Sequence, residues 1–253
     1  MAAPRRIVTA ASIITSPILF VIALVVVVLS VRTLILFAAN ADVFDLAASI
    51  EKIEQEALPE TDYLARFVAS KGLDRASSDC GDSFTRASLT VNLAALDAAT
   101  KTIDMPLADA AQANVIRAAE HRLECNPLDG NAWLQYAMVE ARGKGPVASV
   151  VDALRVSYWT APSEGWIIEP RLTFATNLTL AGVTGFEMEY LDDLRRFASF
   201  ESTSRVAAAF VAVASKLRAQ MRPLIDAQPQ ARKKAIVAEI DRLGVDYTRQ
   251  ETQ

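Results

Sequence analysis

From Ile7 through Val31 the chain carries no charged side chain for 25 residues, and the centre of that run, ILFVIALVVVVL (Ile18–Leu29), is wholly apolar. As an α-helix the run is about 37 Å long, enough to cross a hydrocarbon core of roughly 30 Å. A helix without a polar face cannot lie on a soluble domain with one side in water. The expectation is a single transmembrane helix. Arg5 and Arg6 precede the run, and after Arg32 the next basic residue is Lys52. The positive-inside rule then puts the N-terminus in the cytoplasm and residues 42–253 outside it, which for a bacterial inner membrane means the periplasm.

Ala39-Asn40-Ala41 fits a small-x-small cleavage site, so a removable signal peptide is the alternative. The apolar run is longer than a signal core and Arg32 stands between it and the site, which favours an uncleaved signal anchor. Arg32 itself is expected at the membrane interface, its guanidinium reaching into headgroups. The sharper alternative keeps "TLILFAA" in the membrane and turns Arg32 toward an acidic group on a partner span.

The part beyond the span is acidic. Three of the basic residues and none of the acids precede Asp42, leaving 23 basic and 30 acidic residues in the remainder. An acidic body without a basic stripe is poorly suited to nucleic acid, which is bound by neutralising phosphates. Apolar residues recur there at helical spacing: Val147, Val150, Val151, Leu154 and Tyr158; then Val206, Phe210, Val213, Leu217, Met221 and Leu224; then Ile236, Ile240 and Leu243. No sustained alternation suggests a strand.

The expected fold class is all-α. The anchor helix is expected to run on toward Ala57. Further helices are expected at about 61–71, 83–101, 106–124, 130–142, 146–160, 166–181, 185–198, 203–226 and 230–243. Ser83, Asp129 and Ser202 mark starts, and Gly143, Gly182 and Gly244 mark stops. Short connections make neighbours antiparallel. The expected divisions are 1–41 (cytoplasmic stub and anchor), 42–82 (linker helices and loop), 83–226 (helical-hairpin domain) and 227–253 (charged C-terminal helix and tail).

Cys80 precedes one expected helix and Cys125 ends the next, so an antiparallel pair brings them to one end. In an oxidising compartment a disulfide is expected, with two separate buried thiols as the alternative.

Few residues offer chemistry. His121 is the one histidine and is expected to be exposed on its helix; with Cys125 four residues on it could form a dyad only if that thiol were free. Two distant cysteines and one histidine do not make a familiar zinc set. "RGKG" (Arg142–Gly145) lacks the spacing of a phosphate loop. Glu187, Glu189, Asp192 and Asp193 cluster, but Arg195 and Arg196 follow at helix-neighbour spacing, so a solvated, charge-paired face is expected. No catalytic residue, metal or cofactor is therefore assigned.

The segment from Ala118 to Leu172 echoes itself. Pro127 and Pro162 are 35 residues apart, and each is soon followed by a glycine and a tryptophan, Trp133 and Trp166. Here the chain resembles tetratricopeptide-repeat proteins, whose unit is a 34-residue helical hairpin. Trp133 stands at the early aromatic position, Tyr136 at a large apolar one, Ala137 at the small one and Pro162 at the terminal proline. Glu140 departs from the pattern where an aromatic is usual. The resemblance implies a stack of antiparallel helical hairpins over about 84–182, with Trp133, Tyr136 and Trp166 as the candidate partner surface. The runs LxCxPLDGNAWL (Leu123–Leu134) and APxEGWI (Ala161–Ile167) also resemble small membrane-anchored proteins encoded with bacterial exopolysaccharide synthesis and export genes. That likeness implies a non-enzymatic scaffold working through protein partners in the cell envelope. An envelope enzyme using carboxylates and a docking subunit of a larger membrane complex are the alternatives.

Overall fold

The computed structural model describes residues 11–52, 61–73, 80–102, 104–145, 147–212 and 215–248. The described residues are helical, with no strand among them. The chain forms two compact units, Met1–Leu58 and Pro59–Gln253.

The first unit holds α1 (Ala11–Ala39) and α2 (Ala41–Lys52). The stretch Pro17–Ala39 is long and apolar enough to cross a membrane, and its apolar window is not buried among the described residues. Arg32 is exposed on the same helix. The anchor helix does not run unbroken toward Ala57. A turn at Asn40 separates α1 from α2, the rings of Phe37 and Phe44 stack across it at 4.8 Å, and residues 53–57 lie outside the described set. Ala39-Asn40-Ala41 thus forms the joint itself.

The second unit is built from α3 (Thr61–Ser70), α4 (Asp82–Lys101), α5 (Met105–Cys125), α6 (Gly130–Lys144), α7 (Ala148–Thr160), α8 (Gly165–Leu180), α9 (Glu187–Phe200), α10 (Thr203–Ala212), α11 (Ser215–Asp226) and α12 (Gln230–Arg242). Side-chain caps start several of these helices by satisfying free backbone N–H groups. Asp104 accepts from Leu107 N, Asp129 from Ala132 N, and Ser202 from Arg205 N. Ser83 does not cap; it lies inside α4, whose N-cap is Gly81. Likewise α6 passes through Gly143 and ends at Gly145, whose φ of 75° suits a residue without Cβ. Where one helix was expected over 203–226, α10 and α11 are described, with 213–214 outside the described residues.

Three neighbouring pairs in this unit run antiparallel, as their contacts show. The start of α3 meets the end of α4 (Thr61 Oγ1 to Ala98 O, 3.2 Å), while Asn92 Nδ2 earlier in α4 reaches Leu73 O beyond the end of α3. The end of α7 meets the start of α6 through Ser157 Oγ and Gly130 O at 2.7 Å. Along α8 and α9, Arg171 pairs with Asp193 and Thr176 with Tyr190.

Two apolar clusters hold the unit together. One joins α4, α5 and α6 through Leu89, Leu96, Val115, Ala119, Leu123 and Val139. The other extends from α6 to the C-terminal segment and includes Leu134, Leu154, Ile167, Phe210, Ile236 and Tyr247. α6 serves both, with Leu134 and Ala137 facing one and Ala132 and Val139 the other. The charged C-terminal helix contributes Ile236 and Ile240 to the larger core, but Leu243 is exposed. Of the expected stripes, Val150, Leu154, Tyr158, Val206, Phe210 and Met221 are buried, whereas Val147 is exposed; Val213 lies outside the described residues.

Candidate functional site

Cys80 and Cys125 form a disulfide, with Cα atoms 5.2 Å apart. It ties the approach to α4 to the end of α5, and closing a loop of 45 residues stabilises the fold by about 4 kcal/mol in the chain-entropy model. Arg122 reinforces the same end. Its Nε donates to Asp129 Oδ2 at 2.7 Å, and its Nη1 donates to Asp82 O at 2.6 Å and to Thr85 Oγ1 at 2.8 Å. One buried guanidinium thus links the first turn of α4, the last turn of α5 and the N-cap of α6. His121 is half-buried rather than exposed, because its ring packs against Cys125 Sγ at 3.9 Å. The sulfur is bonded to Cys80, so no thiolate is available for a His–Cys dyad.

The three aromatics singled out in the sequence separate into two groups. Trp133 and Tyr136 meet edge to face at 6.3 Å and pack partly buried against both apolar clusters. Trp133 Nε1 donates to Pro127 O at 2.8 Å, pinning the turn that precedes α6. Burial, and next the Glu140 carboxylate, raise the Tyr136 hydroxyl above its ordinary value, so it stays neutral. Trp166 is 65% exposed in the first turn of α8, and no ring pair among the described residues joins it to the other two.

The acidic cluster is not one solvated face. Asp192 is exposed and pairs with Arg195, as its spacing suggested. Glu187 is exposed and accepts from Gly185 N at the start of its own helix; its backbone N–H bonds hold its carboxyl below the usual range. Glu189 approaches Arg155 at 3.5 Å. Asp193 departs from expectation: it is 2% exposed and is gripped by Arg171, itself 0% exposed. Arg171 Nε and Nη2 donate to its two oxygens at 2.7 and 2.9 Å, and Nη1 donates to Ser157 O and Ala161 O. Burial pushes the Asp193 carboxyl up, against the pull of the Arg171 hydrogen bonds. The guanidinium also lies over the Tyr158 ring at 4.4 Å. Neither Arg171 nor Arg122 stands out in the sequence; the one faint cue is an arginine inside a largely apolar stretch, IIEPRLTF.

A largely apolar cleft of about 480 Å³ opens between α8, α9, α10 and α11, with Leu172, Leu180, Leu194, Phe197 and Met221 in its wall. Glu169 and Arg205, joined by an ion pair, stand at its rim. Among the described residues no group of three His, Cys, Asp or Glu side chains could hold a metal ion. Comparison with protein-family models, curated proteins and solved structures finds no match to this chain.

Proposed function

We propose that the chain is a non-enzymatic, membrane-anchored scaffold of the bacterial cell envelope. Its α1 helix holds it in the inner membrane with the helical unit in the periplasm. That unit, read as a tetratricopeptide-like stack, supports polysaccharide synthesis or export through protein contacts. The observation that carries the reading is the apolar cleft between α8 and α11, with exposed Leu180 in its wall, on a chain that also has a helix long and apolar enough to cross a membrane. Apolar clefts with a few polar groups at the rim are common seats for amphipathic partner segments. The buried Ala137 and the close approach of Gly130 to Ala161 also suit repeat packing, in which small residues let paired helices touch.

The second reading, an envelope enzyme acting on glycans through carboxylates, has one observation in favour. Asp193 is a buried carboxyl with a raised titration, a common property of catalytic acids. Against it, both Asp193 oxygens are engaged by Arg171 and Glu187 is committed to its own helix start.

Photo-crosslinking in cells tests the scaffold. A crosslinker at Leu180 should capture a defined envelope protein that the same crosslinker at Lys101, exposed at the end of α4, does not. Equal capture from both positions, or none from Leu180, overturns the reading.

A further inference from the structure

The C-terminal end of α7 and one side of α9 enclose a second cleft, of about 370 Å³. Its lining includes Tyr158, Trp159, Glu189, Asp192, Asp193 and Arg196. Trp159 is 63% exposed, an indole at the rim with the Arg155 guanidinium 5.3 Å from its ring centre. Beside it, Arg196 Nη1 donates to Ser163 Oγ at 3.1 Å, which holds that guanidinium across the cleft mouth.

Each acid of the cleft has an arginine partner, and Arg196 is held by the neutral Ser163 hydroxyl. Glu189 is matched by Arg155, Asp192 by Arg195 and Asp193 by Arg171. A cationic ligand would have to break one of these pairs, and an anion at Arg196 would face the three carboxylates that line the same cleft. What the cleft offers instead is a dense set of donors and acceptors: carboxylate oxygens that accept and guanidinium N–H groups that donate, next to an aromatic ring.

The wall holds one further cue. Tyr158 is 4% exposed, and its buried hydroxyl has no hydrogen-bond partner among the described residues. Burial, more than any neighbour, holds it protonated, so it is a neutral donor awaiting an acceptor. Neutral, hydroxyl-rich and presenting a flat C–H face is the description of a pyranose ring.

We propose that this cleft binds a neutral sugar unit, its C–H face against the Trp159 indole and its hydroxyls on Asp192, Glu189 and Arg196, with one oxygen relieving Tyr158. This goes beyond docking of protein partners, and either can fail alone. A polymer and a glycolipid headgroup offer the same ring.

The test uses the full chain labelled with 5-fluorotryptophan in phosphatidylcholine nanodiscs free of sugar detergents. Substitution to phenylalanine assigns the fluorine signals of the three tryptophans. Maltohexaose, cellohexaose and isomaltohexaose are each added to about 10 mM, a range that detects even weak binding. A separate sample contains monoglucosyl-diacylglycerol in the nanodisc. At least one hexasaccharide, or the glycolipid, should move the Trp159 signal and leave Trp166 in place; the sample that responds tells polymer from headgroup. Tyr158→Phe and Asp192→Asn should each weaken the response about five- to tenfold, the loss of one hydrogen bond. Trp159 is exposed and Tyr158→Phe removes only an unpartnered hydroxyl, so these variants stay folded. No shift with any of the four sugars overturns the proposal. So does equal movement at Trp166, or a larger shift with spermine or sulfate.

Discussion

Arg171 touches no solvent, yet it ties α8 to two other segments: the end of α7, through two carbonyls and the Tyr158 ring face, and α9, through Asp193. Removing one partner of a buried ion pair strands the other, so Arg171→Met should lower the unfolding free energy by about 3–5 kcal/mol, read from urea midpoints. Two glycines in α6 make a sharper contrast. A Cβ at Gly130 would overlap the Cβ of Ala161, which has no freedom to move aside, whereas at Gly143 it would meet only the flexible amide of Gln112. Gly130→Ala should cost about 1–3 kcal/mol by overpacking. Gly143→Ala should be near neutral, since the gain of about 0.5–1 kcal/mol from alanine in a helix offsets the lost Gln112 bond to Val139 O. At this scale the sequence is only half legible. Asp192 and Asp193 are adjacent and followed by the same arginines, yet one is exposed and the other buried. Local spacing reports neighbours one turn away. Asp193's true partner lies 22 residues back, and only the antiparallel register of α8 and α9 brings it near.

Elements were far more legible. α5 and α8 begin and end within about two residues of expectation, because a proline or glycine stands close to their ends and the apolar stripes between follow the helical period. The break at Asn40 was not legible, since no glycine or proline marks it. The C-terminal segment shows why a charged helix can still belong to a core. Tyr247, beyond α12, packs its ring against Phe210 at 5.5 Å and donates its hydroxyl to Asp226 Oδ1 at 3.1 Å, while Lys233 pairs with the same carboxylate at 2.8 Å. The Lys233 hydrogen bond, followed by that of Tyr247, holds the Asp226 carboxyl below its ordinary 3.8. A carboxyl depressed in the folded state adds stability above its unfolded value and loses it as pH falls through the folded one. Between about pH 5 and pH 3 the chain should therefore lose a stability increment that Asp226→Asn lacks, checked by urea midpoints at both pH values.

At the scale of the molecule, the feature that sets everything else is the long apolar helix of the first unit. A reporter enzyme that folds only outside the cytoplasm, fused after Gln253, should be active; activity from a cytoplasm-only reporter at that position would reverse the proposed topology. Arg32→Leu separates its two roles: it should leave membrane insertion intact, and loss of a co-purifying partner would identify Arg32 as the docking contact. An anchored domain is also one that can be pulled. A partner bound to the helical unit while α1 is held in the bilayer would load the chain in tension, and the Cys80–Cys125 bridge closes off the 45-residue interval between them from that load. At roughly 3.4 Å per residue the bridge withholds about 150 Å of contour from extension. In a force ramp the oxidised protein should yield a total length shorter by about that amount than the reduced one, leaving α4 and α5 as an inextensible clasp near the start of the helical unit.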